Sequence, residues 1–490
     1  MPKTRLCVTV TGATTAELRK RRDAVTDADL LELRLDTVSD PNAAGALAGR
    51  RMPVIVTCRP SWEGGQFTGS EDERRRILAD ALDQGADWVD IEWRARFDDL
   101  IARVGGRRVV VSMHDYDGVP SDLPARVQSM RATGAEVVKV AVAAKRLADC
   151  VPLLDLGAQA SGRGNLVVIG MGEHGVPTRI LAARFGSAWT YAGALREIGQ
   201  LDAQMLVKDY GFASVTGATD VYGIVGGSVA HSVSPAMHNA AFRATRTNAV
   251  YIPLPAISAD DFATFGRSIG IKGASVTIPH KVTMFDRVDE VYPVARRIGA
   301  INTIRVESKR WIGSNTDAQG FLEPLRSRVS LDGIRASLLG AGGAARAVAV
   351  ALASTGCSLR IHARDRVKAE QVAALTSASV GSWIPEPGSW DLLINATPMG
   401  TFPRVDETPI AKALLTGRYV YDLVYNPPVT RLLREASEAG CQTIGGLDML
   451  VTQAQEQFQW WTGARAPAGV MREAALKRLA EFVRDEDHVV

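Results

Sequence analysis

Five cysteines in 490 residues are too few and too scattered for a disulfide framework. Cys7, Cys58, Cys150, Cys357 and Cys441 include no C-x-x-C pair, so no zinc or other metal site is suggested, and a reducing compartment, by default the cytoplasm, is expected. An excess of one charge is also missing. The 57 Lys and Arg stand against 54 Asp and Glu, a net +3, too balanced to argue for a nucleic-acid partner or a membrane surface. Any anionic ligand must then meet a local cluster of Arg and Lys. No apolar run is long enough to span a bilayer, and residues 5–10 read as a strand with no secretory leader ahead of them. The length itself exceeds one ordinary domain and predicts roughly two to four.

A repeated strand-helix unit fills the first half. Apolar strand-like runs recur around 5–12, 29–36, 53–59, 88–93, 109–115, 136–142, 165–172 and 187–193. Helix-period stretches separate most of them, as over 71–83, where Ser70 suits an N-cap. Spacings of roughly 20 to 35 residues suit βα units, and eight of them predict a (β/α)8 barrel, with an open doubly wound sheet as the alternative.

Chemistry in such barrels collects at the carboxyl ends of the strands. Glu32, Arg34, Arg59, Glu63, His114, Lys139 and Arg179 all fall there. Lys139 lies inside a Val-rich strand, where a bare charge is costly to bury. An amine beside a histidine is the equipment for a Schiff base with a ketone, followed by proton abstraction at the neighbouring carbon. Three arginines would bind a carboxylate and hydroxyls. Each residue alone has an ordinary explanation, such as an Arg34–Glu32 salt bridge or a core histidine. Their collection on one rim favours a site.

These residues sit in recognisable strings: Glu32-Leu33-Arg34-Leu35-Asp36, Thr57-Cys58-Arg59 with Glu63-Gly64-Gly65, Ser112-Met113-His114-Asp115, Val137-Val138-Lys139, and Met171-Gly172 with Arg179. Residues 1 to about 210 thereby resemble type I 3-dehydroquinate dehydratases, a (β/α)8 family. The resemblance implies Lys139 as the imine-forming amine, His114 as the proton shuttle and Glu63 as its assistant. Glu32, Arg34, Arg59, Arg179 and Gln200 would hold the substrate. The family usually carries a Ser four residues before that Gln, whereas Arg196 stands here.

A boundary falls near 208–220, followed by a new strand over 222–226. Further on, Ser337-Leu338-Leu339-Gly340-Ala341-Gly342-Gly343-Ala344 reads as strand, glycine turn and helix start, with a helix over 344–353. Such a turn lets backbone donors approach a pyrophosphate. The next strand, 358–362, should end beside the adenosine ribose. Arg364, Arg366 and Lys368 follow it, cations that suit a 2′-phosphate and so NADP. Asp365 keeps NAD open, and a solvated basic face would look the same. Ahead of this unit, Ser232 and Ser234, two apart, can face one carboxylate. Lys281 with Asp317 can relay a proton while hydride moves at carbon, although a plain salt bridge would leave the same pair.

The surrounding motifs are numerous and in order: His231-Ser232-x-Ser234-Pro235-x2-His238-Asn239, Val276-Thr277-Ile278-Pro279-His280-Lys281, Gly299-Ala300-Ile301-Asn302-Thr303, Asn315-Thr316-Asp317-x2-Gly320, Asn395-Ala396-Thr397-Pro398-Met399-Gly400, Asp422-Leu423-Val424-Tyr425-Asn426-Pro427 and Gly446-Leu447-x-Met449-Leu450-x2-Gln453-Ala454. Residues 220 to about 480 resemble shikimate dehydrogenases along that family's whole length. The resemblance implies Lys281 and Asp317 as the catalytic pair and Ser232, Ser234, Thr277, Asn302, Tyr425 and Gln453 around the substrate. It places Gly340, Gly342, Gly343, Ala344, Arg364, Lys368, Thr397, Met399, Gly446 and Met449 at NADP. The Asn usual before the phosphate-binding Arg is Ala363 here.

The expected layout is a barrel over 1–213, a substrate domain over 220–325, a Rossmann domain over 326–450, and C-terminal helices over 451–490 packing back on the substrate domain. The expected function is bifunctional: dehydration of 3-dehydroquinate, then reduction of 3-dehydroshikimate to shikimate with NADPH. A catabolic quinate/shikimate dehydrogenase and a non-catalytic sensor of the pathway acids are the alternatives. Both Ser232 and Ser234 favour shikimate over quinate. The acidic tail 485–490 is expected to fray, and oligomeric state is left open.

Overall fold

A computed structural model of the chain describes residues 3–160, 164–195 and 198–486. It forms two compact units, Met1–Asp220 with Ile252–Ile257 and Asp261–Ile269, and Val221–Tyr251 with Ser258–Asp260 and Gly270–Val490.

The first unit is built on eight parallel strands: β1 (Arg5–Val10), β2 (Leu30–Arg34), β3 (Val54–Thr57), β4 (Trp88–Glu92), β5 (Val109–Asp115), β6 (Val137–Ala143), β7 (Leu166–Met171) and β8 (Trp189–Ala192). Their spatial order is β7-β6-β5-β4-β3-β2-β1-β8. Across the remaining seam the Ala188 N–H donates to the Leu166 carbonyl at 2.8 Å. All eight runs read from the sequence are strands, trimmed by one or two residues at most ends, with β6 running one residue further than expected. The helix over Glu71–Asp83 also forms as expected, with the Ser70 hydroxyl accepting from the Glu73 N–H at 3.2 Å.

Period-two alternation layers the interior. Cys7, Leu30, Ile55, Val110, Val137 and Trp189 make an apolar floor. Two residues further along their strands, Glu32, Thr57, Ser112, Lys139 and Tyr191 sit above it, joined by Asp90 from β4. Register sets the neighbours: Thr57 lies opposite Asp90, Glu92 opposite Ser112, and Ser112 opposite Lys139. A polar layer thus rests on a dry floor at the carboxyl end of the barrel.

Two further sheets follow, lying largely but not wholly within the second unit. One has the order β10-β9-β11-β13-β14-β12, from β9 (Asp220–Gly226), β10 (Ala249–Pro255), β11 (Gly273–Val276), β12 (Glu290–Val291), β13 (Thr303–Glu307) and β14 (Arg310–Ser314). The other is wholly parallel, in the order β17-β16-β15-β18-β19-β20. Its strands are β15 (Arg335–Leu339), β16 (Ser358–His362), β17 (Ser379–Val380), β18 (Leu392–Asn395), β19 (Tyr419–Asp422) and β20 (Gln442–Ile444). The strand order reverses between β15 and β18, the switch point where such sheets bind ligands. The helix after β15 runs Gly343–Leu352, one residue ahead of the expected span.

Two C-terminal helices, Gly446–Thr462 and Val470–Glu486, complete this unit. Phe458, Trp461, Met471, Ala475 and Leu479 pack with Tyr222, Met237 and Phe242 in one core cluster. Helical backbone extends through Asp485 and Glu486, where fraying was expected; the rest of that tail, 487–490, lies outside the described residues.

Candidate active sites

In the barrel, Lys139 Nζ donates to Asp90 Oδ2 at 3.0 Å and to Glu32 Oε1 at 3.4 Å, and lies 4.3 Å from the centroid of the Tyr191 ring. The lysine expected to be costly as a bare charge is therefore met by two buried carboxylates. Asp90 also accepts from the Ser112 hydroxyl at 2.5 Å and pairs with Arg59 at 3.1 Å. Burial pushes the Asp90 carboxyl up, but Arg59 and Lys139 outweigh it and hold the group well below the usual carboxylate range. Sequence reasoning missed Asp90 and its neighbour Glu92. The signal was present in Trp88-Val89-Asp90-Ile91-Glu92, where acids two apart must share one strand face.

The short turn Ser61–Glu63 delivers Glu63 to β5. Its Oε1 accepts from the His114 backbone N–H at 2.9 Å and lies 3.1 Å from His114 Nδ1. Burial pushes the Glu63 carboxyl up to about 7, against Arg59. Burial, then Arg59 and Lys139, hold the His114 imidazolium well below the usual range. A neutral imidazole thus faces a carboxyl that titrates near neutrality, a pair suited to moving a proton.

The three arginines line one cavity of about 300 Å3 together with Glu32, His114, Lys139 and Gln200, but they are not equivalent. Arg34 makes a two-pronged bond to Asp36, at 2.9 and 2.8 Å, rather than pairing with Glu32. Arg59 is spent on Asp90, on Glu92 at 2.6 Å and on the Ser112 hydroxyl at 2.8 Å. Among the described residues Arg179, 1% exposed, donates only to the carbonyls of Tyr191 at 3.3 Å and Ile198 at 2.8 Å, and its Nε has no partner. Burial with no opposing charge pulls its pKa down to about 10. Gln200 is buried, with Oε1 accepting from the Leu195 N–H at 3.2 Å. Arg196 lies outside the described residues.

In the second unit, Lys281 Nζ meets Asp317 Oδ2 at 2.5 Å. Asp317 opens the helix Asp317–Arg326, and its other oxygen accepts from Asn302 Nδ2 at 2.7 Å. The Asn302 side chain also accepts from the Thr316 N–H at 2.8 Å. Gln453 rides on Gly446–Thr462 where that helix crosses Gly320; a Cβ on Gly320 would lie 2.7 Å from that of Gln453, so only glycine permits the approach. The Gly227 N–H donates to the Ile278 carbonyl at 3.1 Å, tying the loop ahead of Ser232 to the turn that holds Thr277. Ser232 hydrogen-bonds Tyr425 and accepts from the N–H of buried Ser234 at 3.2 Å.

The glycine turn after β15 fits a dinucleotide. Gly340 has φ +112°, and a Cβ there would lie 3.0 Å from the Ala396 carbonyl. Gly342 has open space around it, and no side chain caps the helix Gly343–Leu352, so its first N–H groups stay available. Ala344 follows on that helix. Arg364 is exposed with no carboxylate bound to it among the described residues. Asp365, the residue that left NAD open, is consumed locally: it caps the helix Arg366–Ala373, accepts from the Lys368 N–H at 3.1 Å and pairs with Lys368 Nζ at 3.4 Å. Thr397 bonds Asn395 at 2.6 Å and accepts from the Met399 N–H at 3.2 Å. Gly446 packs against the Leu423 and Val424 carbonyls, and Met449 is buried in the core of this lobe.

The two sites define a barrel equipped for imine chemistry joined to a two-lobed dinucleotide-dependent reductase. Residues 6–216 match the family of type I 3-dehydroquinase, residues 224–304 the shikimate dehydrogenase substrate binding domain, and residues 446–476 the shikimate 5′-dehydrogenase C-terminal domain. The chain is 36% identical over 485 residues to the chloroplastic bifunctional 3-dehydroquinate dehydratase/shikimate dehydrogenase of Arabidopsis thaliana, covering 90% of this chain and 78% of that protein. It is 42% identical over 276 residues to the shikimate dehydrogenase (NADP(+)) of Moorella thermoacetica, covering 52% of this chain and 92% of that one. A crystal structure of a shikimate dehydrogenase in complex with NADP+ covers 53% of this chain and 96% of its own, at 36% identity and a TM-score of 0.50. The chain belongs to the bifunctional 3-dehydroquinate dehydratase/shikimate dehydrogenase family.

Proposed function

We propose that the two units catalyse successive steps, dehydrating 3-dehydroquinate to 3-dehydroshikimate and then reducing that ketone to shikimate with NADPH. The observation that carries this reading is a lysine amine and a neutral histidine in one cavity, with a carboxylate-paired lysine beside a dinucleotide turn in the second unit. Arg179, the one cavity arginine without a carboxylate partner among the described residues, takes the substrate carboxylate. Arg34 and Arg59, already held by Asp36, Asp90 and Glu92, shape the wall that meets the hydroxyls. Lys139 Nζ attacks the ketone carbon; loss of water gives a protonated imine, which Asp90 and Glu32 stabilise. That imine acidifies the neighbouring C–H. His114, steadied by Glu63, removes the proton and returns one to the departing hydroxyl, and water then hydrolyses the imine.

In the reductase, Ser232, Ser234, Thr277, Asn302, Tyr425 and Gln453 hold the acid and its hydroxyls, and Lys281 with Asp317 delivers a proton to the carbonyl oxygen. NADPH supplies the hydride. Gly340, Gly342, Gly343 and Ala344 accommodate its pyrophosphate, Arg364 and Lys368 its 2′-phosphate, and Thr397, Met399, Gly446 and Met449 its nicotinamide side. The working domains are 1–213, 220–325, 326–450 and 451–490. No helix among the described residues is long and apolar enough to cross a membrane, and the five cysteines are free thiols, which supports a cytoplasmic placement.

The test is NADPH oxidation by the pure protein given only 3-dehydroquinate, repeated with NADH. Steady oxidation with shikimate as product is expected, faster with NADPH. Oxidation only when 3-dehydroshikimate is supplied would remove the first activity, and silence with both substrates would remove the proposal.

A further inference from the structure

Arg346 lies one helical turn into Gly343–Leu352, behind the glycine turn and outside the groups assigned above. Its Nε donates to the carbonyl of Ile298 at 3.0 Å. Ile298 ends the helix Pro293–Ile298, and Gly299 follows in the left-handed conformation at φ +68°. A cation at that carboxyl end answers the helix dipole and an otherwise unsatisfied carbonyl. Arg346 is half-buried, and burial alone lowers its pKa, with no acid paired to it among the described residues. A guanidinium kept there without a carboxylate points to a specific task for its hydrogen bond.

That task follows from what the next four residues hold. The Ile301 N–H donates to the Lys281 carbonyl at 2.7 Å, and Asn302 bonds the Asp317 carboxylate at 2.7 Å. The segment 298–302 therefore grips both members of the Lys281–Asp317 pair. Ile298 and Ala300 pack with Ala347 and Val350 of the same helix as Arg346, and Ala318, next to Asp317, packs against that cluster. One further contact runs the same way: a Cβ on Gly343 would lie 3.0 Å from Lys281 Cδ, so the stem of the lysine rests on the glycine turn.

We propose that Arg346 is a positioning residue of the reductase: by anchoring Ile298 to the dinucleotide-turn helix it fixes segment 298–302, and through it the Lys281–Asp317 geometry. This rests on the reductase reading above. A misplacement of about 1 Å at a reacting group can cost on the order of 10²-fold in rate.

The test compares Arg346→Met, which keeps the stem and removes the donor, with Arg346→Lys, which restores a donor and the charge. Each full-length protein is assayed for both activities and for amide hydrogen exchange at residues 299–303. Arg346→Met should lower reductase kcat by about 10- to 100-fold, with KM for NADP and shikimate within about threefold. It should also speed exchange of the Ile301 amide. Arg346→Lys should recover most of kcat and of the protection, and dehydratase turnover should be unchanged in both. A loss confined to KM for NADP would make Arg346 a cofactor ligand and overturn the proposal. Unchanged kcat with unchanged exchange would overturn it too, as would equal losses in Met and Lys variants. Absence of reductase activity in the wild-type protein, with dehydratase activity intact, would instead refute the reductase assignment.

Discussion

The barrel site and the reductase site solve the problem of a working lysine in opposite ways. Lys139 lies within a single near-closed sheet, among charges that neutralise one another before any ligand arrives: Lys139 reaches across the barrel to Asp90 and Glu32, and Arg59 pairs with Asp90 and Glu92 of the adjacent strand β4. Arg74, reaching in from the helix Glu71–Asp83, closes this network on Glu92. Among the described residues Lys281 pairs with one acid, Asp317, and its placement depends on segment 298–302 and on the glycine turn of the other lobe. A barrel can orient many charges because adjacent strands hold them rigidly in register. A site between two lobes carries fewer charges and gets its geometry from backbone contacts.

That contrast can be broken most severely at the lysines. Lys139→Ala should cut dehydration by on the order of 10⁴-fold or more and abolish borohydride trapping of bound ketone, while reduction of 3-dehydroshikimate continues at the wild-type rate. Retained trapping would end the imine assignment. Lys281→Ala should lower reductase turnover by about 10² to 10⁴-fold, the range for a lost proton-transfer group, and leave dehydration untouched; an unchanged rate would return the pair to a plain salt bridge.

Arg179 distinguishes binding from architecture within the barrel. Arg179→Met should raise KM for 3-dehydroquinate by roughly 10- to 100-fold, the value of a charge-assisted contact. The melting temperature should fall by only about a few degrees, because the cation leaves two carbonyls and, among the described residues, no buried acid unpaired. A fall of many degrees would put Arg179 with Arg59 and Arg74 as part of the frame.

The smallest expected effect sharpens the role of Glu63. Its carboxyl, at about 7 when folded against an ordinary value of 4.5, binds a proton that the unfolded chain releases. Its contribution to stability is therefore present at low pH and is lost as pH rises through about 7. His114 runs the other way: with a depressed pKa, its contribution is present above the ordinary imidazole value and lost as pH falls. Glu63→Gln should remove the limb near pH 7 from the kcat/KM profile of dehydration and lessen the decline of stability over that interval. A limb that persists in the variant would belong to another group.

Much of this arrangement was legible along the chain. The recurring apolar runs predicted all eight barrel strands, most plainly the Val-rich ones at 109–115 and 136–142, because burial on both faces selects apolar, often β-branched residues. Ser70 ahead of an acidic turn predicted the start of its helix, and the glycine string after Leu339 predicted the turn and helix that follow β15. Less legible was how the charges would be apportioned. Arg34 with Glu32 looked like a local pair, yet the backbone turns after Arg34 and brings Asp36 round to it. Asp90 and Glu92 went unread until the fold set them beside Lys139, Arg59 and Ser112. Asp365 looked like a ribose ligand, and its use as a helix cap depends on the backbone angle at which the next helix begins.

Periodicity and residue type, which one strand or one turn already expresses, were enough for the barrel strands, the glycine turn and most of the chemical groups of both sites, Asp90 and Glu92 excepted. Which arginine has no carboxylate partner among the described residues, which acids meet each lysine, and that Arg346 reaches back to Ile298 came only with the folded chain. Those outcomes depend on distances between side chains far apart in the chain, and such distances exist only once strand register and helix packing have closed around them.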